Sequence, residues 1–220
     1  MIDLVVVGTS KASALITCVI EREAQANVIA YTTYRSMIKE TSLEGKPIVA
    51  IEDLNELYNM KSMYVLNTIG YTDMNTVRER VFKDTKERFE NIYTFISKNA
   101  LIYTDKIGKG SIVMPGAYVG PYVEVGESCL IMAQSSVPHH IKVEDFSYIA
   151  ARAVIGGSSV IGHNSFIGIN ATVKNKVNLA PYTLIGSGSN VLESVTEECC
   201  VVVGNPAKVL PNKRSYESKI

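Results

Sequence analysis

The side chains best suited to moving a proton are three histidines: His139 and His140, which are adjacent, and His163. An imidazole that faces open space accepts a proton near neutral pH, which suits a base acting on an amine or hydroxyl. Spacings of 1 and 23 do not bring three rings to one tetrahedral site, so no metal is expected. The cysteines Cys18, Cys129, Cys199 and Cys200 form no metal-spacing motif and read as reduced packing thiols. A second candidate lies near the N-terminus, in Gly8-Thr9-Ser10-Lys11-Ala12-Ser13. If a helix starts there, its free N–H groups, Ser10 and Lys11 can contact an anion.

The elements that must hold these groups are unequal in clarity. From Leu101 to Val191 every sixth residue is Ile, Leu or Val, beginning Leu101, Ile107, Val113, Val119 and ending Ile185, Val191. Four residues after each, the side chain is usually small, as at Ser111, Ala117, Cys129, Ser135 and Ser147. Gly often follows the aliphatic residue directly, as at Gly108, Gly120, Gly126 and Gly156. A period of six fits neither a helix nor a continuous half-buried strand. It fits short strands joined by sharp bends and stacked into a solenoid. The aliphatic residue then points inward, the small one fits beside it, and Gly relieves strain at the turn.

Ahead of the repeat, Ile2 to Val7 is a β-branched apolar run that reads as a buried parallel strand. Lys11 to Glu23 reads as a helix with Ala12, Leu15, Ile16, Val19 and Ile20 on its inner face. Further strands are expected at Val28–Tyr31, Pro47–Ile51 and Tyr64–Ile69, with a short helix at Asp53–Leu57 and a charged one at Asn75–Lys86. Alternation of this kind predicts a small Rossmann-like parallel α/β domain over residues 1–95. A β-helix over 96–210 and a polar, loosely ordered tail, 211–220, follow.

The repeat, the α/β start and the closing run Gly204-Asn205-Pro206-Ala207-Lys208 together resemble the hexapeptide-repeat acyltransferases. Among these the chain is most similar to the sialic-acid O-acetyltransferases and nucleotide-amino-sugar N-acetyltransferases. The resemblance implies a left-handed parallel β-helix of triangular section, three hexapeptides to a coil and about five coils. It implies acyl transfer from acetyl-CoA to an amino or hydroxyl group of a nucleotide-linked or sialic-acid-like sugar, in a cytoplasmic homotrimer. His139 takes the place of the family's catalytic base and stacks between Pro121 and Gly157, whose N–H would meet the oxyanion. Coenzyme A would lie along the coils between neighbouring subunits, beside Tyr148, Gly157, Ile169 and Ser187, with Ala150 and Ala151 leaving room. Gly8, Ser10 and Lys11 fall where the nucleotide sugar is received, and Gly70 and Arg78 where the family often has a Gly and an Arg. Arg78, on a charged helix, is expected to be solvated.

Four departures are visible. The family's Gly-x-Gly-Gly-His-x-Lys turn keeps only its first glycine, and a Cβ elsewhere hinders backbone approach to phosphate. Met132 replaces an Asn, and Tyr148 replaces a second His. His140 stands where Asp or Glu normally orients the base, a role for which Glu144 or Asp145 could substitute. These departures also suit a second reading, a catalytically silent homologue acting as a binding or scaffold subunit. A third, a zinc enzyme of the γ-carbonic-anhydrase type, needs a histidine spacing this chain lacks.

Composition limits the rest. The 22 basic and 22 acidic residues cancel, so no field favours nucleic acid or an anionic membrane. No apolar run approaches a membrane span, and Met1-Ile2-Asp3 does not begin a signal peptide.

Overall fold

The computed structural model describes residues 1–218; Lys219 and Ile220, the end of the expected tail, lie outside the described residues. The chain divides into two compact units, residues 1–70 with 80–94, and residues 71–79 with 95–220.

The first unit is built on β1 (Ile2–Val7), whose Leu4, Val5 and Val6 are fully buried. It continues through α1 (Lys11–Arg22), β2 (Ala26–Thr33), β3 (Ser42–Leu43), β4 (Lys46–Ala50), α2 (Leu54–Leu57), β5 (Tyr64–Asn67) and the part of α3 (Thr76–Arg88) from residue 80 on. The sheet order is β3-β4-β2-β1-β5, parallel except for β3, which turns back on β4 as an antiparallel hairpin. The sequence pattern did not signal that edge, because two residues carry no periodicity. The inner face of α1 also differs from expectation. Ser13, Ile16, Thr17 and Ile20 are buried, whereas Ala12 is exposed and Leu15 is 54% exposed. Hydroxyls can occupy that face because each is satisfied: Thr17 Oγ1 and Tyr31 OH share a hydrogen bond of 2.6 Å.

The second unit is a parallel β-helix of two-residue strands arranged in three walls. Wall A runs from Phe95–Ile96 through Ile112–Val113, Leu130–Ile131, Tyr148–Ile149, Phe166–Ile167 and Leu184–Ile185 to Cys200–Gly204. Wall B carries Leu101–Ile102, Tyr118–Val119, Ser136–Val137, Val154–Ile155, Thr172–Val173 and Asn190–Val191. Wall C carries Glu124–Val125, Lys142–Val143, Val160–Ile161 and Asn178–Leu179, with single bridges at Ile107 and Val195. The inward residues, such as Val119, Ile131, Val137, Ile149 and Ile155, are fully buried in one continuous core. Each contributes roughly 1.5–3 kcal/mol by leaving water.

Three features of the repeat come out differently. Register pairs Leu101 with Tyr118 and Ile102 with Val119, so the first coil is one residue short. Leu101, although it fits the six-residue step, faces out and is 59% exposed. The column begins at Ile96 and ends at Val202, with six steps between them on wall A instead of five coils. Glycine after the aliphatic position does not serve the turn conformation. The left-handed residue of each turn is two places later, at Tyr122, Ser128, Gln134, His140 and their successors, with φ between 49° and 62° over the sites from Tyr122 to Tyr182. Glycine is needed where it stands because the next coil is too close: a Cβ on Gly120 would lie 1.6 Å from the Pro138 carbonyl oxygen.

Arg78 is not solvated. It is fully buried in the second unit, where its Nε donates to the Ser128 carbonyl at 2.6 Å. Desolvation pushes its pKa down to about 9. Asn75 beside it donates to the Asn164 and Ser165 carbonyls, so residues 75–79 are pinned to the turns between walls C and A. The described part of the tail, through residue 218, is structured as well. Gly204 and Ala207 close a hairpin, and Ala207–Arg214 returns antiparallel on Cys200–Gly204. Ser215 then donates its N–H to the Cys199 carbonyl. All four cysteines are free; Cys129 and Cys200 are buried, but Cys18 is exposed and packs no core.

Candidate active site

The site residues come from turns, and the coil ladder sets their places. At the corner between walls B and C, the His140 N–H donates to the Pro121 carbonyl at 3.2 Å and the Ser158 N–H to the His139 carbonyl at 3.1 Å. The Lys176 N–H donates to the Gly157 carbonyl at 2.9 Å. His139 therefore stacks between Pro121 and Gly157, and its ring is exposed. The imidazole lies against Gly157: a Cβ there would be 2.2 Å from Cε1 and 2.6 Å from Nε2. The Gly157 N–H donates to no acceptor among the described residues. An exposed imidazole beside an open amide can accept a proton and stabilise a nearby oxyanion.

Among the described residues, no carboxylate is hydrogen-bonded to His139. Its hydrogen-bonding partner is His140, with 3.3 Å between the two Nδ1 atoms. Both expected substitutes are engaged at another corner, between walls C and A. Glu144 accepts from Lys142 at 3.1 Å and from the His163 N–H at 3.2 Å, and Asp145 accepts from the Glu127 N–H at 2.8 Å. His163 also belongs to that corner, with its Nδ1 2.9 Å from Asn164 Oδ1. Among the described residues, no group of three or more His, Cys, Asp or Glu is arranged to hold a metal.

The other expected contacts do not gather at this corner. Ile169 and Ser187 stack at the corner between walls A and B, where the Asn170 N–H donates to Ala151 and the Gly188 N–H to Ile169. Tyr148 points outward from wall A, stacked on Phe166 at 5.1 Å and edge-on to Tyr71 at 5.4 Å. Burial pushes its hydroxyl pKa up to about 12. Within one chain, then, His139 and Gly157 form one group and Tyr148, Ile169 and Ser187 another.

Several solved structures are similar to this chain. The acetyltransferase domain of PglB from Neisseria gonorrhoeae is 20% identical over 94% of this chain and 99% of that one, with a TM-score of 0.80. A mutant perosamine N-acetyltransferase from Caulobacter crescentus, in complex with CoA and GDP-perosamine, is 18% identical over 96% and 97%, with a TM-score of 0.84. WeeI from Acinetobacter baumannii is 19% identical over 96% and 100%, with a TM-score of 0.75. The chain has the fold of sugar N-acetyltransferases. That fold is a small parallel α/β region followed by a left-handed β-helix. The PglB domain has also been solved in complex with acetyl coenzyme A. No protein-family model and no curated protein matches the chain.

In the first unit, the loop expected to receive an anion mainly seals itself. Gly8 has φ +120°, and a Cβ on it would lie 2.7 Å from Ser13 Oγ and 2.9 Å from Thr68 Oγ1. Ser10 is the N-cap of α1, its hydroxyl accepting from the Ser13 N–H in a capping box. Lys11 stays exposed, and Gly70 has open space around it.

Two features of the second unit escaped the sequence reading. One is a groove of about 630 Å³ lined by Tyr103, Thr104, Asp105, Lys106, Pro121, Tyr122 and Glu124. The other is the tilted stack of Tyr122 on His140, with ring centroids 4.7 Å apart. The second was detectable, since Tyr122 and His140 are one 18-residue coil apart and share the left-handed turn position. The groove was not, because it opens where the first coil loses a residue.

Proposed function

We propose that this protein transfers an acetyl or similar acyl group from coenzyme A to an amino or hydroxyl group of a sugar. A nucleotide-linked amino sugar is the preferred acceptor and a sialic-acid-like sugar the next. The carrying observation is the His139 ring, exposed and laid against Gly157 on an N-acetyltransferase fold. In the reaction the acceptor nitrogen attacks the thioester carbonyl as His139 takes its proton. The N–H of Gly157 would steady the oxyanion; collapse would expel the coenzyme thiolate, which regains the proton from His139. The perosamine N-acetyltransferase, solved with CoA and GDP-perosamine, supports an amine acceptor and a nucleotide carrier.

On this reading residues 1–95 serve the acceptor, with Gly8, Ser10 and Lys11 toward its diphosphate, and residues 96–210 serve the donor. Acetyl-CoA would span two copies of a homotrimer, taking Gly157 from one and Tyr148, Ile169 and Ser187 from the next. That arrangement would unite two groups that one chain keeps apart. A cytoplasmic location suits both substrates. No helix among the described residues is long and apolar enough to cross a membrane.

Calorimetric titration with acetyl-CoA tests the reading, using the wild type and His139→Ala. Binding in both, with transfer to an amino sugar lost in the variant by roughly a hundredfold or more, is the expected result. Absence of binding at millimolar coenzyme would sink it. That outcome would favour the second reading, a silent scaffold, for which the lack of a carboxylate at His139 is the supporting observation.

A further inference from the structure

The missing carboxylate leaves His139 in need of an orienting partner, and the only hydrogen-bonding group at its ring among the described residues is the imidazole of His140. The rings meet edge to face, at 81° with centroids 5.5 Å apart, and the Nδ1 atoms are 3.3 Å apart. At that distance one nitrogen must carry a proton and the other a lone pair. His140 is itself held firmly. Its backbone takes the left-handed turn conformation at φ 52°, its N–H donates to Pro121, and its ring lies on Tyr122. The face of the His139 ring lies over Gly157, where a Cβ would be 2.2 Å from Cε1, 2.6 Å from Nε2 and 2.8 Å from Nδ1.

We propose that His140 is a positioning residue that accepts a hydrogen bond from Nδ1–H of His139, leaving Nε2 as the lone-pair nitrogen. It thus does for tautomer and ring direction what an acid does elsewhere, through a neutral acceptor. The opposite proton arrangement would put hydrogen on Nε2 and leave His139 no free nitrogen on the open side. The inference rests on His139 being the base of the proposed transfer, but its central claim is readable without turnover.

Nitrogen-15 imidazole spectra of the intact protein give that reading. The wild type should show His139 protonated at Nδ1 and bare at Nε2. His140→Gly removes the acceptor at a position whose positive φ glycine prefers, and should shift the proton toward Nε2. His140→Asn keeps an acceptor oxygen, tolerates the same φ, and should restore the wild-type pattern. In turnover, kcat should fall roughly ten- to a hundredfold in His140→Gly with KM for acetyl-CoA unchanged, and recover in His140→Asn. A wild type with His139 protonated at Nε2, or a tautomer indifferent to His140→Gly, would overturn the inference. A wild type that transfers nothing yet shows the Nδ1–H tautomer would support the inference and count against the acyltransferase reading alone.

Discussion

Two glycines of the same turn series separate function from folding at the residue scale. A methyl group on Gly157 would meet the His139 ring first, and that exposed side chain can swing away. Gly157→Ala should therefore keep its melting temperature within a few degrees; if His139 is the base of the proposed transfer, kcat should drop roughly ten- to a hundredfold, since a displaced base is no longer aligned. A methyl group on Gly120 would meet the Pro138 carbonyl oxygen at 1.6 Å, and backbone inside a hydrogen-bonded ladder cannot give way so cheaply. Gly120→Ala should cost more than about 3 kcal/mol, read as a large fall in denaturation midpoint. Equal losses of stability in the two variants would contradict this division. Side chains outside the turns are governed by burial. Arg78 was read as solvated because its neighbours on α3 are charged, yet its guanidinium is enclosed and bonded to the Ser128 carbonyl, 50 residues further along the chain.

At the element scale, the repeat is robust and its ends are not. In mid-column the pairing runs in steps of 18, as Val119 to Val137 and Leu130 to Tyr148, because every coil must present the same three walls. The first coil needs only one stacked neighbour, and there a residue is missing. The consequence is testable in adjacent residues. Ile102→Ser should destabilise the protein by about 2 kcal/mol or more, as it puts a hydroxyl against the core, whereas Leu101→Ser should shift stability by less than about 0.5 kcal/mol. Chemical denaturation of the two variants reads the difference, and the reverse order would mean that the six-residue step continues through Leu101. In α1, paired hydroxyls let Ser13 and Thr17 displace Leu15 from the inner face.

The three walls of the β-helix offer unequal surfaces at the scale of the whole molecule. Wall A carries Phe166, Leu184 and Val201 in a cluster with Met74 and Tyr148, so its outer side is already packed. Wall C displays Lys106 and Glu124, which pair with each other, and Lys142, which pairs with Glu144, in ion pairs that water screens. Wall B displays Leu101, Tyr118, Ser136, Val154, Thr172 and Asn190, with Val154 43% exposed. If the proposed homotrimer forms, wall B is the surface suited to it. Light scattering should give three times the 24.1 kDa chain mass, and Val154→Asp should shift the distribution toward monomer. A monomeric wild type at tens of micromolar would leave Gly157 and Ile169 on separate corners with nothing to unite them.

The sequence alone determined the β-helix, the position of His139 over Gly157 and the alternation of the N-terminal unit. Each follows from a periodicity, and periodicity survives in one dimension: an inward aliphatic every six residues, a coil every 18. It also exposed the loss of the acid after His139. What only the tertiary structure decided are matters of contact between residues without common period. The burial of Arg78, the engagement of Glu144 and Asp145 at another corner, and the ordered return of the tail all belong here. So does the hydrogen bond between His139 and His140, because adjacency in sequence does not specify which way two rings turn; the left-handed backbone at His140 and the ring of Tyr122 beneath it do.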